Sequence, residues 1–235
     1  MSTGEAQELS ISIIIPARNE EHYLESCLRA VQAQQRAIHE MIVVDNGSTD
    51  GTARIATALG ARVVSEPVRG LPRAREAGRR AASGALLVYL DADMIIPPDY
   101  LTTLAAFFRA HPMVLAASTP FRYYDGNWLT NSIIAAQFAI YKTLHVLQIT
   151  RFIFGGSFAV RRETLAQIGG FNTAIEFYGE DTDLSKRLAK CGPVAFLDGV
   201  RSQTSARRYA QQGVLKTCLL YLWHYLLILL CDTAS

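Results

Sequence analysis

At 235 residues, half of them hydrophobic and 19% charged, the chain has enough apolar content for one large globular core, which excludes a disordered or fibrous class. A net charge of +2 leaves no excess for gripping a phosphate backbone, so nucleic acid is not an expected partner. Cys27, Cys191, Cys218 and Cys231 form no CxxC pair and no zinc spacing with the five histidines, so reduced thiols in a cytosolic compartment are expected.

Residues 1–10, MSTGEAQELS, hold no basic region followed by an apolar core, and no secretory signal is expected there. The β-branched run at 9–16, LSISIIIP, reads as a strand. A helix follows, opened by Asn19 or by Glu20 and Glu21, with Tyr23, Leu24, Cys27, Leu28 and Val31 on its apolar face. EMIVVD at 40–45 is a second strand, ending in a carboxylate. The Asn46-Gly47 turn then leads past three candidate caps, Ser48, Thr49 and Asp50, into a helix over 52–59, with Gly60 at its C′ position. A strand at 61–65, a helix at 72–83 ending at Gly84, and the strand within 85–94, ALLVYLDADM, complete an alternating series. Such a series builds a mostly parallel α/β sheet covered on both faces, with ligands at the carboxyl ends of its strands. Three of those ends, at 16–20, 45–50 and 91–93, carry polar groups.

Asp91 and Asp93, alternating at the end of an apolar strand, repel one another unless a positive charge joins them. A hard divalent cation such as Mg²⁺ answers that need, because carboxylates plus a diphosphate and water complete its oxygen shell. A solvated acidic turn is the alternative. In VVDNGSTDGT, turn and cap chemistry accounts for every polar residue except Asp45, whose carboxylate stands where it can accept hydrogen bonds from a nucleobase or a ribose. Glu180, Asp181 and Asp183 precede Leu184 and Leu188 and also fit first-turn acids favoured by a helix macrodipole.

In order, SIIIPARNEE, VVDNGSTDGT, RAREAG, YLDADM, GGSFAVRRE and FYGEDTDLSKRL resemble the family 2 glycosyltransferases over about residues 10–208. The resemblance implies the inverting GT-A fold, a Rossmann-like, mixed and mostly parallel sheet flanked by helices. It also implies a transferase that uses Mg²⁺ or Mn²⁺ and a nucleoside diphosphate sugar. Pro16, Ala17, Asn19 and Glu20 match its first nucleotide loop, and Asp45, Gly47 and Ser48 the segment that reads base and ribose. Arg75 falls on an arginine that approaches the diphosphate, with Glu76 here where asparagine is usual. Asp93 corresponds to a metal ligand, and Asp91 to a residue shared by metal and ribose. Gly155, Gly156 and Ser157 match the loop beneath the transferred sugar or acceptor. Asp181 corresponds to the catalytic base, with Glu180 beside it orienting acceptor or sugar. Arg207 and Arg208 lie in a segment distantly similar to the R/Q-x-x-R-W motif of processive relatives, and are assigned to the diphosphate. Ser205 and Tyr209 depart from that motif, so processive synthesis is not implied.

Residues 217–231, TCLLYLWHYLLILLC, form an apolar stretch of roughly 22 Å as a helix, against a hydrocarbon core of roughly 30 Å. Arg201, Arg207, Arg208 and Lys216 precede it, an order that keeps the catalytic unit on the cytoplasmic side of a membrane. The chain thus divides into a catalytic domain at 1–213 and an apolar segment at 214–235, which lies on a membrane or packs as a helix or oligomer contact. The apolar stretch at 128–154 reads as an acceptor wall or a lipid-facing surface. The expected acceptor is a hydroxyl, a glycan or a lipid-linked phosphate. A non-catalytic nucleotide-sugar-binding subunit and a sugar nucleotidyltransferase are the alternatives, the latter releasing pyrophosphate.

Overall fold

The computed structural model describes residues 9–146, 153–175, 179–213 and 216–217. The expected alternation forms as β1 (Ile11–Ala17), α1 (Leu24–Gln32), β2 (Glu40–Asp45), α2 (Thr52–Ala58), β3 (Arg62–Ser65), α3 (Leu71–Ala81) and β4 (Leu86–Leu90). There follow α4 (Tyr100–Ala110), β5 (Ala116–Ser118), β6 (Phe121–Tyr123), α5 (Trp128–Val146), β7 (Ser157–Arg161) and α6 (Arg162–Gln167). Last come α7 (Glu180–Cys191), β8 (Val194–Phe196), β9 (Ser202–Thr204) and α8 (Arg207–Gln212).

Seven strands make one sheet in the order β3-β2-β1-β4-β7-β5-β8. Its first four strands run parallel, β7 is antiparallel to both β4 and β5, and β5 pairs parallel with β8. The strands are apolar on both faces because both are covered. Ile11, Ile13 and Ile15 pack with Leu24, Cys27 and Leu28 of α1 and with Tyr100 and Leu104 of α4. Ile14, Val44, Leu87 and Tyr89 pack on the other side with Ala74 of α3 and Leu184 and Leu188 of α7. A parallel pair, β6 and β9, forms a second small sheet. It shares a third apolar cluster, Tyr123, Ile134, Phe138, Ala206 and Tyr209, with α5 and α8.

Register sets the strand ends level: Ala17 lies opposite Asp45, and Asp45 opposite Ser65. Two glycines permit close packing against β1. A Cβ on Gly78 of α3 would lie 2.3 Å from Ile14 Cγ2. One on Gly84 would lie 2.6 Å from Ser12 Oγ, and Gly84 N–H donates to that same oxygen at 2.8 Å. Helix α3 therefore stops two residues before the sequence expectation, as Ala82 turns extended (ψ 144) to bring Gly84 against β1. Gly60 takes the expected left-handed C′ conformation after α2 (φ 75). Among the described residues no helix is long and apolar enough to cross a membrane. The expected C-terminal apolar helix lies almost wholly outside the described residues.

Candidate active site

The chain leaves β4 in a tight turn, closed by Met94 N–H on the Asp91 carbonyl at 3.0 Å, which sets Asp91 and Asp93 at the sheet's carboxyl edge. Asp93 is 8% exposed and accepts a hydrogen bond from Thr204 Oγ1 at 2.9 Å, while Arg207 Nη2 approaches its other oxygen at 3.3 Å. Asp91 opens toward the cleft, with 41% of its side chain exposed. Crowding by protein atoms lifts its carboxyl to about 6 against the pull of Arg75. Asp91 N–H donates to the Gly156 carbonyl at 3.0 Å, which ties the 155–157 turn over this strand end.

Arg75, on α3, is only 2% exposed. Its Nη1 donates to Glu180 at 3.0 Å, and its Nη2 to the Gly155 carbonyl at 2.6 Å and to Asp91 at 3.3 Å. Its Cζ lies 5.5 Å from the centre of the Phe158 ring. The guanidinium, which the resemblance assigns to a diphosphate, lies beneath the cleft, with both terminal nitrogens bonded to protein. It joins the β4 end to the α7 start. The departure at Glu76 has its own structural use. Glu76 is buried, pairs with Arg79 and Arg80, and accepts Phe171 N–H at 3.1 Å. Those bonds overcome the effect of its burial and lower its carboxyl below the ordinary range.

Glu180 and Asp181 start α7 after Gly179, which takes the left-handed conformation (φ 91). The three acids of this turn differ in what they meet. Asp183 pairs with Arg187 one turn on, at 2.7 Å, and is an ordinary helix acid. Glu180 meets Arg75, and Asp181 lies against the 155–157 turn, its Oδ2 3.3 Å from where a Cβ on Gly155 would stand. Burial first, and the neighbouring Glu180 second, raise Asp181 to about 7, while Arg75 and the N–H groups of Thr182 and Gly155 hold it down. A carboxyl at that value is poised to accept a proton near neutrality.

At the first two strand ends the loops clasp one another. Asn19 sits in the left-handed region (φ 55) and accepts Thr49 N–H at 2.8 Å, while its own N–H donates to Ser48 Oγ at 3.1 Å. Asp45 accepts Ser48 N–H through one oxygen at 3.1 Å. Pro16 and Ala17 end the buried β1, and Gly47 turns with φ 70. Asn46, read from sequence as a turn residue only, reaches across to hold the 66–70 loop. It donates to the carbonyls of Glu66 and Val68 at 2.9 and 2.8 Å and accepts Gly70 N–H at 2.8 Å. From the far end of the chain, Arg207 forms a two-pronged pair with Glu20 at 2.7 and 2.8 Å and lies over the Tyr23 ring at 4.3 Å. Burial raises Glu20 above the usual carboxylate range, against that pairing. Arg208 is exposed, and its charge pulls Asp91 down.

The structure thus brings Asp91, Asp93, Gly155, Gly156, Glu180 and Asp181 together, and sets the Glu20 loop against Asp93 through Arg207. The side chain of Ser157 is fully buried, and its hydroxyl bonds to Tyr100 and to Thr119 at 3.2 Å. It contributes backbone at the strand end. Thr204, Tyr23 and Asn46 also belong to the neighbourhood; the sequence marked Tyr23 only as a helix-face residue and Asn46 only as a turn residue, and gave no signal at Thr204. Among the described residues no three His, Cys, Asp or Glu side chains form a metal-binding group.

The model of the glycosyl transferase family 2 matches residues 12–169, and one described as the N-terminal domain of galactosyltransferase matches residues 139–202. An uncharacterized glycosyltransferase of Mycobacterium tuberculosis is 42% identical over 97 residues, 41% of this chain and 43% of that protein. Glucosyl-3-phosphoglycerate synthase of the same organism is 40% identical over 97 residues, 37% of this chain and 30% of that protein. These matches span less than half the length of the curated relatives. A mannosyltransferase from Pyrobaculum calidifontis, solved with GDP-Man and Mn²⁺, superposes with a TM-score of 0.73 at 24% identity, covering 96% of this chain and 65% of that one. The M. tuberculosis synthase, solved with Mn²⁺, UDP-Glc and phosphoglyceric acid, gives 0.67 at 25% identity, covering 93% and 79%. The mixed, mostly parallel sheet is therefore of the GT-A type.

Proposed function

The chain belongs to glycosyltransferase family 2, and on that premise we propose a metal-dependent, inverting transfer of a sugar from a nucleoside diphosphate donor to an acceptor hydroxyl or lipid phosphate. One observation carries the reading: Asp91, just beyond β4, and Asp181 from α7 meet at the 155–157 turn, where the buried Arg75 bonds both Asp91 and the Gly155 carbonyl, with Asp93 two residues on. The Mn²⁺ and sugar-nucleotide ligands named for the two solved neighbours support the donor class.

Two carboxylates at one strand end, without a third protein ligand among the described residues, fit a hard cation that takes its other oxygens from phosphate and water. Asp93 and Asp91 would hold Mg²⁺ or Mn²⁺, whose charge would stabilise the departing diphosphate. Base and ribose are assigned to Pro16, Ala17, Asn19, Glu20, Asp45, Gly47 and Ser48, on the level edge formed by β1 and β2. Asp181 takes the proton from the acceptor as its oxygen attacks the anomeric carbon, and Glu180 stays fixed by Arg75 beside it. Glycines at 155 and 156 leave space for the sugar, since a Cβ at either would crowd Asp181 or Met94. Arg207 and Arg208 supply charge toward the diphosphate, Arg207 after leaving Glu20. The unit works at the cytoplasmic face of a membrane, a placement supported by the apolar composition of 217–231 and by the exposed Trp128, Leu129 and Ile140 of α5.

Thermal-shift screening of nucleotide sugars with and without Mn²⁺ tests the donor site. One sugar nucleotide stabilising the protein only with metal is the expected result, and stabilisation indifferent to metal overturns it.

A further inference from the structure

Arg207 engages two groups that the donor and its cation also need. Its guanidinium forks onto Glu20, Nη1 to Oε2 at 2.8 Å and Nη2 to Oε1 at 2.7 Å, so both oxygens of that carboxylate are taken. The same Nη2 reaches Asp93 Oδ2 at 3.3 Å, while Asp93 Oδ1 accepts Thr204 Oγ1 at 2.9 Å. Both oxygens of Asp93 thus have protein partners. The guanidinium carbon also lies 4.3 Å from the centre of the Tyr23 ring, a cation–π contact that favours the same position.

The pair joins two fixed points of the backbone. Glu20 N–H donates to Thr52 Oγ1 at 2.8 Å, and Asp125 accepts Ser205 Oγ and Ala206 N–H just ahead of Arg207. The Arg207 side chain keeps 30% of its surface in solvent, so it can swing away while the backbone on either side stays in place.

Resting on the proposed donor site, the geometry points to Arg207 as an internal latch: docked on Glu20, it sits where a divalent cation would meet Asp93 and covers the first nucleotide loop at the same time. Two cations cannot serve one Asp93 oxygen at such range, because their repulsion in a partly desolvated cleft is strong. Arginine suits the task, since its planar fork meets a carboxylate through two parallel bonds that a lysine cannot make. Metal favours the open position by taking Asp93, and a diphosphate favours it by drawing the released guanidinium. Each ligand therefore shifts the latch in favour of the other.

The test is titration of the full chain with Mn²⁺ alone, followed through the electron paramagnetic resonance signal of the free ion. Two variants separate a latch from a simple field effect. Arg207→Lys keeps the charge but loses the fork, and is expected to bind Mn²⁺ about fivefold more tightly than the parent, where the field alone would change nothing. Glu20→Gln removes an acid near the cation, which by field alone weakens Mn²⁺ binding. Release of Arg207 is expected to reverse that sign and tighten binding by about the same factor. An affinity no tighter than the parent's in either variant overturns the latch. The cation site is read separately: Asp93→Ala is expected to abolish Mn²⁺ binding in the parent and in the Glu20→Gln background. Binding that survives that change overturns the donor-site reading, and the latch with it.

Discussion

Arg75 is the cation between two carboxylates that would otherwise crowd each other, so its loss acts on both stability and chemistry. Arg75→Met leaves Glu180 facing an apolar side chain at a nearly dry position, which costs on the order of 3 kcal/mol in urea unfolding. Because Arg75 also holds the Asp181 proton affinity down, the same variant shifts the acid limb of the rate profile to higher pH. Asp181 shows the opposite balance. Its folded value, about 7, lies above the ordinary 3.8, so the folded state keeps the proton longer and loses stability as pH rises between those values. Asp181→Asn removes that cost. The variant is expected to melt above the parent at pH 8, with the difference vanishing below about pH 4, while transfer falls about 10² to 10⁴ fold and donor affinity holds. Equal melting temperatures at pH 8 would contradict the strained carboxylate, and unchanged transfer would remove Asp181 as the base. At this scale the sequence was informative about residue types and poor about depth. The Asp91-x-Asp93 spacing motivates the proposed cation site, but nothing in RAREAG distinguishes an arginine in a cleft from one below it. Ser157 likewise reads as a loop hydroxyl, and only the β7 register turns it toward Tyr100.

Helix α3 carries the fit between the sheet and its cover. Because a Cβ on Gly78 would stand only 2.3 Å from Ile14 Cγ2, Gly78→Ala forces the helix off β1, at about 1–3 kcal/mol in chemical denaturation. That displacement also moves Arg75, three residues earlier. The 66–70 loop depends instead on Asn46, whose amide makes three bonds to its backbone. Asn46→Ala is expected to speed amide exchange across that loop while leaving β2 protected, and unchanged exchange there would show that other contacts hold it. Elements through β4 were legible because each spans enough residues for period 2 or 3.6 to register, with Gly60 and Gly84 near their ends. Strands β5, β6, β8 and β9 have three residues each, too few to show a period, and their pairing is decided by partners far along the chain. The resemblance implied a mixed sheet without saying which strand is reversed, and the pattern of β7, SFAVR, gives no direction.

For the molecule as a whole, burial raises the Asp181 carboxyl to about 7. As the proposed base it must be ionised, so transfer is expected to climb as pH passes from 6 to 8 at saturating donor, and a flat profile would contradict the assignment. Asp93→Ala is expected to abolish metal-dependent donor binding without lowering the melting temperature of the ligand-free protein by more than a few degrees, and a donor affinity indifferent to the change would refute the cation site. The pairing of Arg207 with Glu20 spans 187 residues and has a consequence for the order in which the protein can be assembled during synthesis. Strands β1 to β4 can pair as soon as residue 90 has left the ribosome, and an N-terminal intermediate can hold most of the parallel half. Glu20 and Asp93 at its edge lack their shared cation until Arg207 emerges, so a nascent chain arrested before that residue would carry a recognisable sheet with these two rim acids unpaired.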